Sequence, residues 1–333
     1  MITWWVANID FQEKSLLSSS PDCELFTDAC LTGWGASIGD VTTGGHWAQE
    51  ELDHINILEL KAILLGLQSL CRDRTGSHVR LRSDNTTAVA CIDRCGSTRP
   101  NLHALTVNIF EWAASRDITL SAQHVQGLDN VTADIESRVS RMDGEWMLQP
   151  DIFNKICQLF YTPVIDLFAT RLNAQLSVYV SWRPDPSAMC TNAFTLDWGG
   201  KSLYAFPPFS LVSRTLRKLQ DDKATALMIL PLWPAQMWFP TALLLSAEDP
   251  VLLPHYPLFL PQRPTLPHPR AQGLVLTAMV LSGQHSRIAA FRQRLPSFYF
   301  NPGGLALRHN MGRISRAGCC FASGGKLIHF SHL

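Results

Sequence analysis

Glu59 sits inside an apolar segment of helical spacing, Ile55-Asn-Ile-Leu-Glu-Leu-Lys-Ala-Ile-Leu-Leu-Gly-Leu-Gln-Ser-Leu70. Apolar residues recurring at that period predict a largely buried helix, with Asn56 able to serve as its N-cap. A carboxylate buried alone in such a helix is costly, so Glu59 needs partners wherever the helix packs. The fold must therefore bring other polar groups to one point on this helix.

The flanking segments suggest where those groups come from. Glu24 to Cys30 alternates apolar and polar residues, Gly33 to Gly39 follows after a short gap, and Gly44 to Ala48 follows Thr42-Thr43, which reads as a three-stranded meander. Beyond the helix, Val79 to Asp84 is a fourth strand and Asn85 to Ile92 a short helix. A longer helix spans Asn101 to Ser115, a fifth strand Ile118 to Val125, and a last helix Asn130 to Arg141. The order βββαβααβα with one crossover into a mixed sheet predicts an α/β domain ending near Arg141.

Four acids fall at element ends or on a helix face around that sheet: Asp28, Glu59, Asp84 and Asp134. Any one of them alone reads equally as a cap or an exposed acid. Together, with Asp28 in a strand and Glu59 in an apolar helix, they would repel one another unless divalent cations held them, and oxygen donors suit Mg²⁺ or Mn²⁺. Two such ions about 3.5–4 Å apart can activate water and stabilise the leaving oxygen of a phosphoryl displacement. Asn85 and Thr86 follow Asp84 at a helix start, where free N–H groups favour a phosphate; ordinary N-capping explains them as well.

The segments Thr27-Asp28-Ala29-Cys30 with Gly33-Trp-Gly-Ala36, Asn56-Ile-Leu-Glu59-Leu-Lys-Ala62, Ser83-Asp84-Asn85-Thr86-Thr87-Ala88, and His124 to Arg138 occur in one order. They resemble the ribonuclease H domains of retroelement reverse transcriptases, most closely the DIRS-like group, over about residues 22 to 141. The resemblance implies an α/β fold with a ribonuclease H-like mixed five-stranded sheet and helices. It also implies hydrolysis of the RNA strand of RNA:DNA hybrids by two Mg²⁺ (or Mn²⁺) ions on Asp28, Glu59, Asp84 and Asp134. His124 matches a mobile loop histidine that assists proton transfer or product release, although a surface strand-end histidine without a task reads equally from the residues. Residues 1–21, with Trp4-Trp5, look like the remnant of a polymerase connection, and no polymerase Asp-Asp motif stands before the acids, so a polymerase encoded elsewhere in the element is an expected partner.

After Gly144 the pattern restarts as a second, smaller α/β domain. A helix around Pro150 to Tyr161, a strand Val164 to Phe168, a strand Ser202 to Phe206 closed by Pro207-Pro208, a helix Leu211 to Lys223 and a strand Ala226 to Leu230 suggest parallel pairing. Val164-Ile-Asp166-Leu-Phe-Ala-Thr170, Asn173, Leu203 to Phe209 and Ile229 to Trp233 more weakly resemble the methyltransferase-like module that follows ribonuclease H in DIRS-like elements. In active relatives an Asp or Asn precedes Pro-Pro-Tyr/Phe to accept the adenine amino group; Phe206 stands there and cannot accept. The resemblance thus implies a noncatalytic module over 142–253 without a cofactor, and residues 254–333 read as a proline-rich linker and basic tail.

Charge divides with the domains. Residues 1–144 hold 11 Lys+Arg against 19 Asp+Glu and the remainder 17 against 9, so the halves carry net −8 and +8. From Pro250 to Leu333 there are nine Lys+Arg and no acid, a composition that meets polyanions. Arg292 and Arg294 are expected to project together from a helix end. Nine cysteines without CxxC spacing exclude a disulfide scaffold or zinc finger. Ala224 to Ala247 is free of Lys, Arg, Asp and Glu, but three prolines break it, so it reads as a buried strand, loop and helix rather than a membrane span. With no signal sequence, the protein is expected inside the cell, in cytoplasm or nucleus.

Overall fold

The computed structural model describes residues 20–139, 145–263, 265–297 and 319–333. The expected connection over residues 1–21 and the end of the last helix near Arg141 fall almost wholly outside them. The chain forms two compact units: the first takes in residues 20–30, 34–42 and 54–136, and the second residues 31–33, 43–53 and those from Ser137 onward.

The first sheet has β1 (Cys23–Ala29), β2 (Gly33–Ile38), β3 (Val41–His46), β4 (His78–Ser83) and β5 (Thr119–His124) in the order β3-β2-β1-β4-β5. β2 runs antiparallel to β1, while β4 and β5 run parallel to it. This is the expected α/β arrangement with a mixed five-stranded sheet. The third strand begins at Val41, earlier than the Gly44 read from the glycine pair. Four helices accompany it: α1 (Ile55–Leu70), α2 (Thr86–Asp93), α3 (Pro100–Ala114) and α4 (Val131–Arg138).

Helix α1 buries Leu58, Leu60, Ile63 and Leu67, each at 1% exposure or less. Burying each such side chain contributes about 1.5–3 kcal/mol, which outweighs the modest helix propensity of a β-branched and glycine-containing run. Its N-cap is His54, whose Nδ1 accepts from Asn56 N at 3.2 Å, rather than Asn56. The Asn56 side chain is used elsewhere: its Oδ1 accepts from Asn85 Nδ2 at 3.1 Å. Gly66 explains the glycine in mid-helix. A Cβ there would stand 3.0 Å from Ala36 Cβ and 3.3 Å from Thr27 Cγ2, so α1 lies directly on β1 and β2. Glu59, seven residues earlier, shares that face and is aimed at β1.

The second unit is built on nine strands in the order β15-β16-β12-β14-β11-β10-β7-β8-β9. They are β7 (Ile165–Asp166), β8 (Val178–Ser181), β9 (Cys190–Thr191), β10 (Ser202–Ala205), β11 (Thr225–Pro231), β12 (Val251–Leu252), β14 (Leu276–Ser282), β15 (Cys319–Ser323) and β16 (Lys326–His332). A small pair, β6 (Met147–Leu148) with β13 (Leu258–Phe259), stands apart. The helices are α5 (Pro150–Leu159), α6 (Val212–Asp221), α7 (Phe239–Leu245) and α8 (His285–Arg294). Strands β7, β10 and β11 pair in parallel as expected and the unanticipated β8 and β9 continue the parallel run, but β14 runs antiparallel to β11.

β14 changes the reading of the last eighty residues. Instead of a linker and basic tail, Leu276–Ser282 is buried at every position in the middle of the sheet, and residues 319–332 form a hairpin at its edge. The physical reason is that Leu-Thr-Ala-Met-Val-Leu-Ser is apolar on both faces, as a strand covered on both sides must be. Side chains of β11 alternate between two apolar clusters: Ala226, Met228 and Leu230 on one side, Leu227 and Ile229 on the other. Arg292 does not project with Arg294. Its Nη2 donates to the carbonyls of Ser323 and Gly324, at 2.6 and 3.1 Å, and so ties α8 to the β15–β16 turn. Ala224 to Ala247 is a strand, loop and short helix, and among the described residues no helix is long and apolar enough to cross a membrane.

Candidate active site

The parallel strands of the first sheet deliver their ends to one edge. Asp28 is the penultimate residue of β1, Asp84 follows the last residue of β4, and His124 closes β5 opposite Ser83. Helix α1 contributes Glu59 from the face that packs on β1. Ligand oxygens of Asp28, Glu59 and Asp84 all lie within 4.8 Å of one another. Asp28 and Glu59 are each only 4% exposed, whereas Asp84 is the most open of the three.

The electrostatics are those of an unbalanced cluster. Desolvation first, and then the charges of Asp28 and Asp84, push the Glu59 carboxyl up to about 9. A hydrogen bond from the Ala29 N–H opposes the shift without cancelling it. Glu59 Oε2 is buried with no hydrogen-bond partner. A buried, unpartnered carboxylate oxygen facing two further carboxylates is costly as it stands. The donor set fits a hard divalent cation, since it is all oxygen and multiply anionic.

Asp134, expected with these three, lies in the first turn of α4 and is half-buried. It is not one of the acids whose ligand atoms fall within 4.8 Å. Its helix is nonetheless anchored to the edge that carries Asp28. Asn130, 1% exposed, donates from Nδ2 to Thr27 O at 3.0 Å, and its carbonyl accepts the Asp134 N–H at 3.0 Å. Asn130 Oδ1 and Thr27 Oγ1 are both buried without partners. Sequence reading placed Asn130 only as the start of a helix.

His124 is exposed, and its Nε2 lies 3.1 Å from the carbonyl oxygen of Asp84. The loop that follows crosses close to the same acid. A Cβ on Gly127 would stand 3.3 Å from Asp84 Oδ2, so a side chain there would push that oxygen aside by a few tenths of an ångström. Asn85 and Thr86 divide between the readings open at the outset. Asn85 Oδ1 accepts from Thr87 N and Ala88 N, both at 3.0 Å, and caps α2. Two of the N–H groups that a phosphate would use are thus taken, while Thr86 is exposed at the first helical position.

In the second unit, Asp166 is 2% exposed at the end of β7, and burial pushes its carboxyl up to about 7 despite two hydrogen bonds. Phe168 N donates to Oδ1 at 3.3 Å and Gln175 N to Oδ2 at 3.1 Å, so both oxygens organise the following loop. Phe206 is half-buried against the apolar cluster and lies 6.4 Å from the Phe209 ring.

No protein-family model matches this chain, and no curated protein matches it. Among solved structures it is similar to ribonuclease H1 of the halophilic archaeon Halobacterium salinarum NRC-1, at 18% identity and a TM-score of 0.30, over 34% of this chain and 92% of that one. It is also similar to LC11-RNase H1 in complex with an RNA/DNA hybrid, at 18% identity and a TM-score of 0.31, over 34% and 93% of the two chains. A third is the N-terminal ribonuclease H domain of a Mycobacterium tuberculosis protein fused to maltose binding protein, at 15% identity and a TM-score of 0.28, over 34% and 91%. At these identities and scores the similarity assigns no residue roles.

Proposed function

We propose that the first unit is a metal-dependent ribonuclease H that hydrolyses the RNA strand of RNA:DNA hybrids. The observation that carries this reading is the convergence of Asp28, Glu59 and Asp84 within 4.8 Å, with a buried Glu59 oxygen left unpartnered. Those three would hold Mg²⁺ or Mn²⁺, and Asp134, on the neighbouring helix, would join a second ion. Bound there, divalent cations supply an activated water and charge neutralisation at the scissile phosphate.

The chain's own groups do the remaining work. Asn130 holds α4 against β1, which fixes Asp134 relative to Asp28. Gly127 leaves room beside Asp84 Oδ2 for a ligand or a phosphate oxygen. His124 stands at the rim, exposed and beside the Asp84 carbonyl, where an imidazole can carry a proton away from the reacting phosphate. Thr86 is open to a phosphate of the hybrid, and Asn85 serves chiefly by capping α2. A labelled RNA:DNA duplex incubated with Mg²⁺ tests the assignment: RNA-strand cleavage that EDTA abolishes is expected, and a duplex left whole by folded protein sinks it.

A second reading is favoured by one observation, the position of Asp134 outside the three-acid cluster: a retroelement-derived domain that folds and binds nucleic acid without cutting. The same assay separates them. We further propose that residues 142–253 are a methyltransferase-like module without methyl transfer, since Phe206 lacks an acceptor and Asp166 spends both oxygens on backbone amides. The protein would act inside the cell, in cytoplasm or nucleus, beside the polymerase of such an element. N6-methyladenine made from S-adenosylmethionine in a manner requiring residues 142–253 would overturn this part.

A further inference from the structure

A cleft of about 680 Å³ opens in the second unit between Trp233, two residues past β11, and the loop before β14, Pro267 to Leu274. Such a volume suits one or two nucleotides or a short peptide. Its walls are joined where Leu232 N donates to Val275 O at 2.8 Å. Aromatic surface is supplied by Trp233 and Tyr256, and polar groups by His268, Arg270 and Gln272; none of its lining residues is acidic.

These groups are held in place before any ligand arrives. The Trp233 ring meets the edge of Phe209 at 5.0 Å, and His268 packs on Trp146 at 4.7 Å. Tyr256 is 59% exposed and carries a left-handed backbone, φ 57°, which a tyrosine adopts only under constraint. The constraint comes from Gln149, whose Nε2 donates to Tyr256 O at 3.1 Å and whose backbone N–H donates to Pro257 O at 2.8 Å.

We propose that this cleft binds single-stranded nucleic acid, with bases stacked on Trp233 and Tyr256 and a phosphate at Arg270. Rigid aromatic faces beside an arginine are the means by which proteins hold unpaired strands without reading their sequence. Charge selects this occupant over a proline-rich or apolar peptide. Arg270 lines the cleft and no acid does, so a polyanion gains from that uncompensated charge where a neutral peptide does not. The site is separate from the three-acid cluster and holds whether or not the first unit cuts.

The test is fluorescence anisotropy of the full chain with labelled dodecamers of dT and rU, in EDTA so that metal-held contacts do not contribute. Trp233→Ala is expected to weaken binding about tenfold or more. The exposed variants Tyr256→Ala and Arg270→Gln, which disturb little packing, keep the test decisive if Trp233→Ala fails to fold. Tyr256→Ala should cost severalfold. Arg270→Gln should also flatten the slope of log affinity against log salt by about 0.7, the value of one phosphate on a single strand. Hybrid cleavage in Mg²⁺ should be unchanged in both. Oligonucleotide binding within twofold of wild type in Tyr256→Ala and Arg270→Gln overturns the proposal, as does a proline-rich peptide that fills the cleft while the oligonucleotide stays bound.

Discussion

Two buried acids serve the two larger sheets of this protein, Glu59 from the helix packed on β1 and Asp166 at the end of β7, and burial raises the carboxyl pKa of both. Glu59 is pushed up to about 9 and Asp166 to about 7. Their surroundings differ in kind. Asp166 gives each oxygen to a backbone amide of the loop it organises, and its shift comes from desolvation alone. Glu59 keeps an orphaned oxygen and faces Asp28 and Asp84, whose charges add to the shift. A raised pKa therefore does not by itself mark a site. What separates a ligand-binding acid from a structural one is whether its lone pairs are already used and whether its neighbours share its sign.

The sharpest way to break this comparison is to neutralise an acid in the cluster. Asp84→Asn keeps volume and removes one charge, so Mg²⁺-dependent hybrid cleavage should fall by about 10³-fold or more while the circular dichroism spectrum is retained. Wild-type turnover in that variant would return the cluster to the status of Asp166. His124→Ala tests the rim rather than the metal donors, and a loss of about 10²-fold in kcat with KM little changed is expected. An unchanged kcat would leave His124 a strand-end residue.

Asn130→Ala asks how far the geometry around the cluster depends on a neighbour that touches no ligand. The variant leaves the Thr27 carbonyl without its donor, so a stability loss of about 1–3 kcal/mol is expected in urea unfolding. Cleavage should drop by about tenfold and recover in part at high Mg²⁺, because a displaced Asp134 weakens metal affinity more than chemistry. Cleavage that falls without any response to Mg²⁺ would show that Asn130 acts on the fold alone.

The contrast also explains what could be read from sequence. Asp28 and Glu59 were legible because each interrupts an apolar pattern, where an acid has few inexpensive explanations, and Asp84 because it ends an alternating strand inside a segment that resembles a known motif. Helix α1 was legible to the residue for the same reason of period. Asn130 and Gly127 were not, since their meaning lies in contacts with Thr27, 103 residues away, and with the Asp84 carboxylate. Strands β8 and β9 are four and two residues long, too short to show a period. β14 was missed because a strand buried on both faces does not alternate, and the prolines before it read as linker. Counting arginines over the last eighty residues also hid Arg292, whose charge is spent on two carbonyls inside the fold.

Asp166→Asn should leave cleavage untouched and change only how stability follows pH. Burial lifts the folded carboxyl to about 7 while the unfolded one keeps the ordinary value of 3.8, so between those values the folded state holds a proton that the unfolded state does not. Stability supplied by that proton is fully present below about pH 4 and is lost as pH rises through 7. Asparagine cannot titrate, so this decline disappears in the variant. It does carry a cost that is independent of pH, because both carboxyl oxygens can accept whether or not the group is protonated and the amide NH₂ cannot, leaving either Phe168 N or Gln175 N facing an NH₂ group, at about 1–3 kcal/mol. Urea unfolding of both proteins at pH 5 and pH 8 isolates the effect of Asp166, since every other titrating group is common to the pair. Asp166→Asn should be the less stable protein at pH 5, and the gap should narrow at pH 8. A gap that is equal at the two pH values would mean that Asp166 stays ionised in the fold, and that its two amide hydrogen bonds outweigh its burial.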